Sequence, residues 1–176
     1  MEVVPMQPIS QNPPQSRPHG YYGAAAWFLV TFAAAAVGTL ASTHAAQFYG
    51  RLMLPTWAPS ASVFGPVWTV LYLLMAFSAW RIWQRAGANG AYVPLTLYLV
   101  QLALNALWSW LFFEWHLGGV AFTDIVLLWL VLVSMMVAFY QHSRPAALLQ
   151  IPYLLWITFA SALNYSAWQL NPQLLK

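Results

Sequence analysis

Residues 119–140 read GVAFTDIVLLWLVLVSMMVAFY, an apolar run broken by a single charged side chain, Asp124. The run is apolar on every face, so neither the alternation of a half-buried strand nor the stripe of a surface helix describes it. At about 1.5 Å per residue it is long enough, as a helix, to cross a hydrocarbon core about 30 Å thick. It reads as a membrane-spanning helix, and the rest of the chain repeats the pattern.

Across the chain only 5% of residues are Asp, Glu, Lys or Arg and 61% are hydrophobic, against roughly a quarter charged in a soluble domain. Uncharged gaps run from Arg17 to Arg51, Arg51 to Arg81, Arg85 to Glu114, Asp124 to Arg144 and Arg144 to Lys176. Each holds the about 20 apolar residues of a bilayer-crossing helix, which places spans at about 24–46, 63–83, 94–113, 119–140 and 146–168. A β-barrel would need segments of about ten residues alternating in polarity, and these runs are longer and unbroken. The expected fold is an all-α membrane protein, a multi-pass bundle of five transmembrane helices over residues 23–170.

The start, MEVVPMQPISQNPPQSRPHG, holds five prolines and no apolar run, so it lacks the basic start and apolar centre of a signal peptide. A disordered tail over 1–22, an uncleaved first span and a short tail over 171–176 are expected. Without cysteine there is no disulfide or thiolate chemistry and no CxxCH haem attachment. The six basic residues behind the net charge of +3 are scattered, without the basic stripe that nucleic-acid binding requires, so no nucleic-acid partner is expected. Arg17, Arg81, Arg85 and Arg144 fall on one side of the membrane, Arg51 and Lys176 on the other. The positive-inside rule then puts the N-terminus in the cytoplasm; which membrane holds the protein is left open.

Connections this short leave no soluble catalytic domain, so any site lies between helices or under the longest loop, about 47–62. There YGRLMLPTWAPSASVFGPVWTVLY (49–72) runs from a Pro-rich aromatic loop into a helix, with Trp57, Phe64 and Trp68 around Pro55, Pro59 and Pro66. This reads as a lid capped by Trp57, with Trp68 and Tyr72 in a wall below. Helical positions three, four and seven apart share a face, which aligns Asn105, Trp108 and Phe112, then Trp156, Ala160 and Leu163, then Trp68, Tyr72 and Met75. Such stripes are either ordinary packing surface or the walls of a pocket for a flat apolar molecule. Mid-span Asn105 favours the pocket, because an amide is costly in lipid unless it bonds another helix or a ligand.

Arg51 is the one basic residue in the loop; it either pairs with Glu114 or meets a ligand carboxylate at the rim. Asp124 answers either to the N-terminal helix dipole or to a functional need for an intramembrane acid. His19, His44, His116 and His142 have no carboxylate partner, so neither a metal site nor axial haem ligation is expected. No Ser-His-Asp set, carboxylate pair or phosphate loop can be assembled, which leaves no conventional catalytic site and no obligatory cofactor. Trp80, Trp83, Tyr92, Trp115, Tyr140 and Trp168 lie near span ends, where amphipathic rings favour the headgroup layer. The small residues Ala33 to Ala36, Gly38 and Ala41 let helices approach closely, within the bundle or across a homodimer.

The run from Tyr49 through Pro55, Trp57 and Pro59 to FGPVWTVLY resembles the translocator protein family, also called tryptophan-rich sensory protein or peripheral-type benzodiazepine receptor. QLALNALWSWLFF (101–113), the position of Asp124 and PYLLWITFASALNY (152–165) resemble it in the same order, over about residues 48–168. The resemblance implies a five-helix membrane protein, usually a homodimer, that binds porphyrins and other flat apolar ligands beneath the first loop. It puts Trp68 and Trp156 where the family places two pocket tryptophans linked to light- and oxygen-dependent porphyrin breakdown. Asn105, Trp108, Ala160 and Leu163 match pocket positions. The family's usual WxPP is here Trp57-Ala58-Pro59-Ser60, and Ser62 replaces a common aromatic, which implies an altered ligand range. The sterol-recognition pattern lacks its basic residue, since Ser166 to Leu170 follow Tyr165; this argues against tight sterol binding.

Three functions stay open: a membrane tetrapyrrole-binding sensor, regulator or transporter in porphyrin metabolism and the stress response; a photo-oxidative porphyrin-degrading enzyme using Trp68 and Trp156; and a carrier of small apolar solutes or lipids.

Overall fold

The protein is described by a computed structural model over His19–Lys176. The helix α1 (His19–Ala41) includes residues expected in the disordered tail; the rest of that tail, residues 1–18, lies outside the described residues. The first span is not continuous to residue 46: α1 stops at Ala41 and a separate turn of helix, α2 (Ala45–Tyr49), follows. At the break, Ser42 Oγ donates to Gly38 O (2.9 Å) and Thr43 Oγ1 to Leu40 O (2.8 Å), side-chain bonds that compete with continuation of the helix.

A lid loop and a 3-10 turn (Ala61–Val63) lead into α3 (Phe64–Gly90). Near its end Gly87 has φ 64°, ψ −175°, a region open essentially to glycine alone. There the chain turns toward α4 (Tyr92–Ser109), which runs on as a π turn (Trp110–Glu114). After a short link holding His116 at φ 55° come α5 (Gly118–His142), α6 (Arg144–Leu148) and α7 (Ile151–Leu170). The fifth span is thus broken between α6 and α7. Pro152 explains this: it lacks an N–H and its ring would clash with the carbonyl four residues back, yet it is well suited to the first turn of a new helix.

Five helical stretches are long and apolar enough to cross a membrane, as read from the sequence. Exposed Leu29, Val70, Leu127, Val137 and Leu155 face outward, as lipid contact requires. Inside, α5 packs against α4 and α7 while α1 packs against α3 and α4. Met75, Ile82, Tyr98, Leu132, Met135, Phe139 and Tyr153 form a fully buried core. A smaller cluster of Leu52, Leu111, Phe112, Ala121, Ala167 and Leu175 ties the first loop to the C-terminal end.

The two membrane faces are each stitched together. On one, His142 Nε2 lies 3.1 Å from Gly90 O and Arg85 Nη1 3.4 Å from His142 O. On the other, the rings of Phe48 and His116 are 4.2 Å apart and Lys176 N donates to His116 O at 3.0 Å. Two rings expected to float in the headgroup belt are half-buried wedges instead. Trp83 meets Trp27 at 6.1 Å, and Trp168 covers Gly118, where a Cβ would lie 2.8 Å from its ring.

Candidate functional site

On the first-loop side the bundle opens into a cavity of about 470 Å³, within the roughly 300–1,000 Å³ of small-molecule sites. α1, α3, α4, α5 and α7 all contribute, so its walls come from the whole length of the chain. Its floor is a directed chain of hydrogen bonds. Tyr72 O–H donates to Asn105 Oδ1 (2.6 Å), Asn105 Nδ2 to Tyr153 Oη (2.8 Å), and Tyr153 O–H to Gln101 Oε1 (3.0 Å). These bonds satisfy Asn105, which is 4% exposed, and remove most of the penalty of burying an amide in a membrane protein.

Above the floor stand indole faces. Trp68 is 5.5 Å from Tyr72 and 6.2 Å from Tyr153, and Trp156 is 5.8 Å from Phe64. Trp108 is fixed by its N–H bond to Asn164 Oδ1 (2.9 Å), and Asn164 in turn donates to Gly118 O (3.1 Å). The N–H groups of Trp68 and Trp156 bond no described residue and remain available to a ligand. The hydroxyls of Thr39, Ser42 and Thr69 already donate to their own helices, so toward the cavity they act as acceptors. Among the described lining residues none carries a charge.

The roof is built from Tyr49, Ala61 and Phe64. Tyr49 and Phe64 meet at 5.4 Å, and the Tyr49 hydroxyl donates to Pro59 O at 3.0 Å. Burial pushes the Tyr49 phenol above its ordinary range. The lid is fastened further along by Asn171, which accepts from Met53 N and donates to Met53 O, both at 2.8 Å. Ser60 and Ser62, where the loop departs from the family pattern, pair hydroxyl to hydroxyl at 2.9 Å.

Six of the residues singled out from sequence line this cavity together: Trp68, Tyr72, Asn105, Trp108, Trp156 and Ala160. Four do not. Trp57, expected as the cap, is 48% exposed and lies edge-on to Phe159 at 5.7 Å, outside the cavity. Arg51 is exposed in the lid, away from the lining, and makes no ion pair with Glu114. Leu163 is buried but turned away. Phe112 is displaced by the π turn: one extra residue per turn puts Phe113 on the cavity and leaves Phe112 stacked behind Trp108 at 5.2 Å. Asp124 is 5% exposed, lies off the cavity and makes no hydrogen bond with a described residue.

Sequence reading missed the α1 wall of Phe32, Ala35, Gly38, Thr39 and Ser42, whose small residues read as packing, and Ile125 and Leu128 of α5. Phe64 was visible in the lid tract but not assigned to the site.

A family model, TspO/MBR family, matches residues 26–169. The chain belongs to the TspO/MBR family. It is 40% identical over 145 residues to a tryptophan-rich protein TspO of Chlorobaculum tepidum, a match covering 78% of this chain and 90% of that protein. It is 37% identical to protein CrtK of Rhodobacter capsulatus, covering 84% and 92% of the two chains. The translocator protein of Homo sapiens is 40% identical over 127 residues, or 71% of this chain and 75% of its own. The matched region includes every cavity-lining residue. Of the eleven tryptophans of this TspO/MBR protein, Trp68, Trp108 and Trp156 line one chamber.

Proposed function

We propose that this TspO/MBR membrane protein binds a tetrapyrrole, porphyrin or haem, in the cavity beneath the first loop and acts as a sensor, regulator or transporter in porphyrin metabolism and the stress response. The observation that supports this reading is the pair of indoles, Trp68 and Trp156, over one uncharged chamber. A flat aromatic macrocycle gains from such faces, since aromatic pairs add about 0.5–1.5 kcal/mol beyond area burial. The lining also sets a condition on the ligand. With no charged side chain to pair them, propionate carboxylates must stay at the cavity's edge in water or among headgroups, because an unpaired buried charge is prohibitively costly. The ligand is a guest, and no resident cofactor is invoked.

The test is a titration of protoporphyrin, haem and sterol followed by tryptophan quenching in detergent and in vesicles. Trp68→Phe and Trp156→Phe should fold normally and weaken porphyrin binding by about two- to threefold each, because Phe keeps part of an aromatic contact worth about 0.5–1.5 kcal/mol in full. Unchanged titrations in both variants remove these residues from the site.

A second reading has its own observation: Trp68, an oxidisable indole, sits 5.5 Å from the Tyr72 ring, a redox-active neighbour. Under it the protein degrades bound porphyrin using light and oxygen. Spectra that change under illumination with oxygen, and not in the dark, would support it. A homodimer is also proposed, through the exposed groove of Ala34, Ala103, Ala106 and Leu107 between α1 and α4, whose small residues permit close helix approach.

A further inference from the structure

The cavity reaches the protein's side as well as lying beneath its lid. α1 meets α3 near its own start, where Trp27 faces Trp83. Further along it leans on α4: Gly38 sits against Ser109 and Ala106, and Trp110 Nε1 donates to Val37 O at 3.2 Å. Beside the cavity the flanks of α1 and α3 carry Phe32 and, next to it, the small residues Ala35, Thr39, Gly65 and Thr69. Phe32, Thr39, Gly65 and Thr69 are at once cavity-lining and exposed. Small residues between membrane helices ordinarily let the backbones close up. Gly65 does not serve that purpose, since a Cβ added there would meet no atom within 4 Å.

The surface around this cleft is apolar, with Val70 55% and Leu73 45% exposed, and so faces acyl chains. The aqueous end is covered by contrast, held by the Tyr49–Pro59 bond, the two Asn171–Met53 bonds and the Trp57–Phe159 contact.

We infer that the cavity exchanges ligand sideways with the bilayer, through a window between α1 and α3, and not through the lid. Gly65 and Thr69 lie in the first two turns of α3, within about 10 Å of its start at 1.5 Å per residue, close below the headgroups on the first-loop side. That depth suits an amphiphile dissolved in the membrane, whose apolar body slides in while its acidic groups stay at the interface. The inference rests on the tetrapyrrole reading for the ligand's identity, but the window itself does not.

The full chain in phosphatidylcholine nanodiscs tests both. The double variant Gly65→Leu/Thr69→Leu puts bulk into the window, starting at Gly65 from a Cβ that meets no atom within 4 Å. It should slow protoporphyrin association by about tenfold without speeding dissociation, whereas loss of a lining contact would show as faster dissociation. Asn171→Ala, which unfastens the lid, should leave both rates as in the wild type. Unchanged rates in the window variant, or acceleration in Asn171→Ala, would overturn the inference.

A second measurement needs no porphyrin. Phospholipids brominated high on the acyl chain should quench the part of the fluorescence that disappears in Trp68→Phe/Trp156→Phe, and the window variant should abolish that quenching. If protoporphyrin fails to bind while brominated lipid still quenches, the tetrapyrrole reading falls and the window stands. Absence of that quenching in the wild type sinks the window whatever protoporphyrin does.

Discussion

Asn105 shows how a single polar residue is tolerated and used in a membrane interior. Its amide both accepts from Tyr72 and donates to Tyr153, so one side chain joins α3, α4 and α7 beneath the cavity. Asn105→Leu would leave the buried Tyr153 hydroxyl without its donor and Tyr72 without its acceptor. The Tyr72 donor, left unpaired, costs about 1–3 kcal/mol, while Tyr153 keeps its bond to Gln101. The expected outcome is a clear fall in thermal unfolding temperature in detergent. Tyr153→Phe keeps the Tyr72–Asn105 bond but leaves Asn105 Nδ2 without its acceptor and Gln101 Oε1 without its donor, and should cost at least as much. At this scale the sequence pointed well to Asn105, Trp68 and Trp156, because a mid-span amide and aromatics beside a lid are anomalies against an apolar background. It pointed poorly to Arg51 and Trp57: their residue types suit a rim and a cap, but the loop's own bonds turn them outward.

At the scale of the element, the breaks matter more than the runs. The π turn at Trp110–Glu114 exchanges Phe112 for Phe113 on the cavity wall; fixed three- and four-residue spacing cannot anticipate an inserted residue. Pro152 could have announced the α6–α7 break from sequence, whereas the end of α1 is written only weakly, in Ser42 and Thr43. The clearest element-level prediction concerns Gly87. At φ 64°, ψ −175° an alanine would be strained by about 1–3 kcal/mol, so Gly87→Ala should lower the unfolding temperature with no change at the cavity 's far end, as read by an unaltered protoporphyrin affinity. Equal stability of the two proteins would show that the α3–α4 connection relaxes freely.

For the molecule as a whole, the cavity is a product of how α1 is shared. Contact with α3 near its start and with α4 further along leaves a cleft that no local sequence pattern records. The same global view assigns Asn171 a task invisible from its position after the last span: it joins the end of α7 to the backbone of the lid. In Asn171→Ala, backbone amides of the lid around Met53 should exchange hydrogen faster by about an order of magnitude, the worth of roughly one to two hydrogen bonds. Amides of α5 should be unaffected, which hydrogen exchange with mass spectrometry resolves. The class of protein and the number of spans were legible in the residues alone, because the bilayer's thickness and its refusal of charge act on each segment separately. Which faces meet, which residues share the chamber and where it opens depend on how the helices pack together. In lipid both the packed and the exposed faces of a helix are apolar, so the pattern that would orient a helix in water is largely erased.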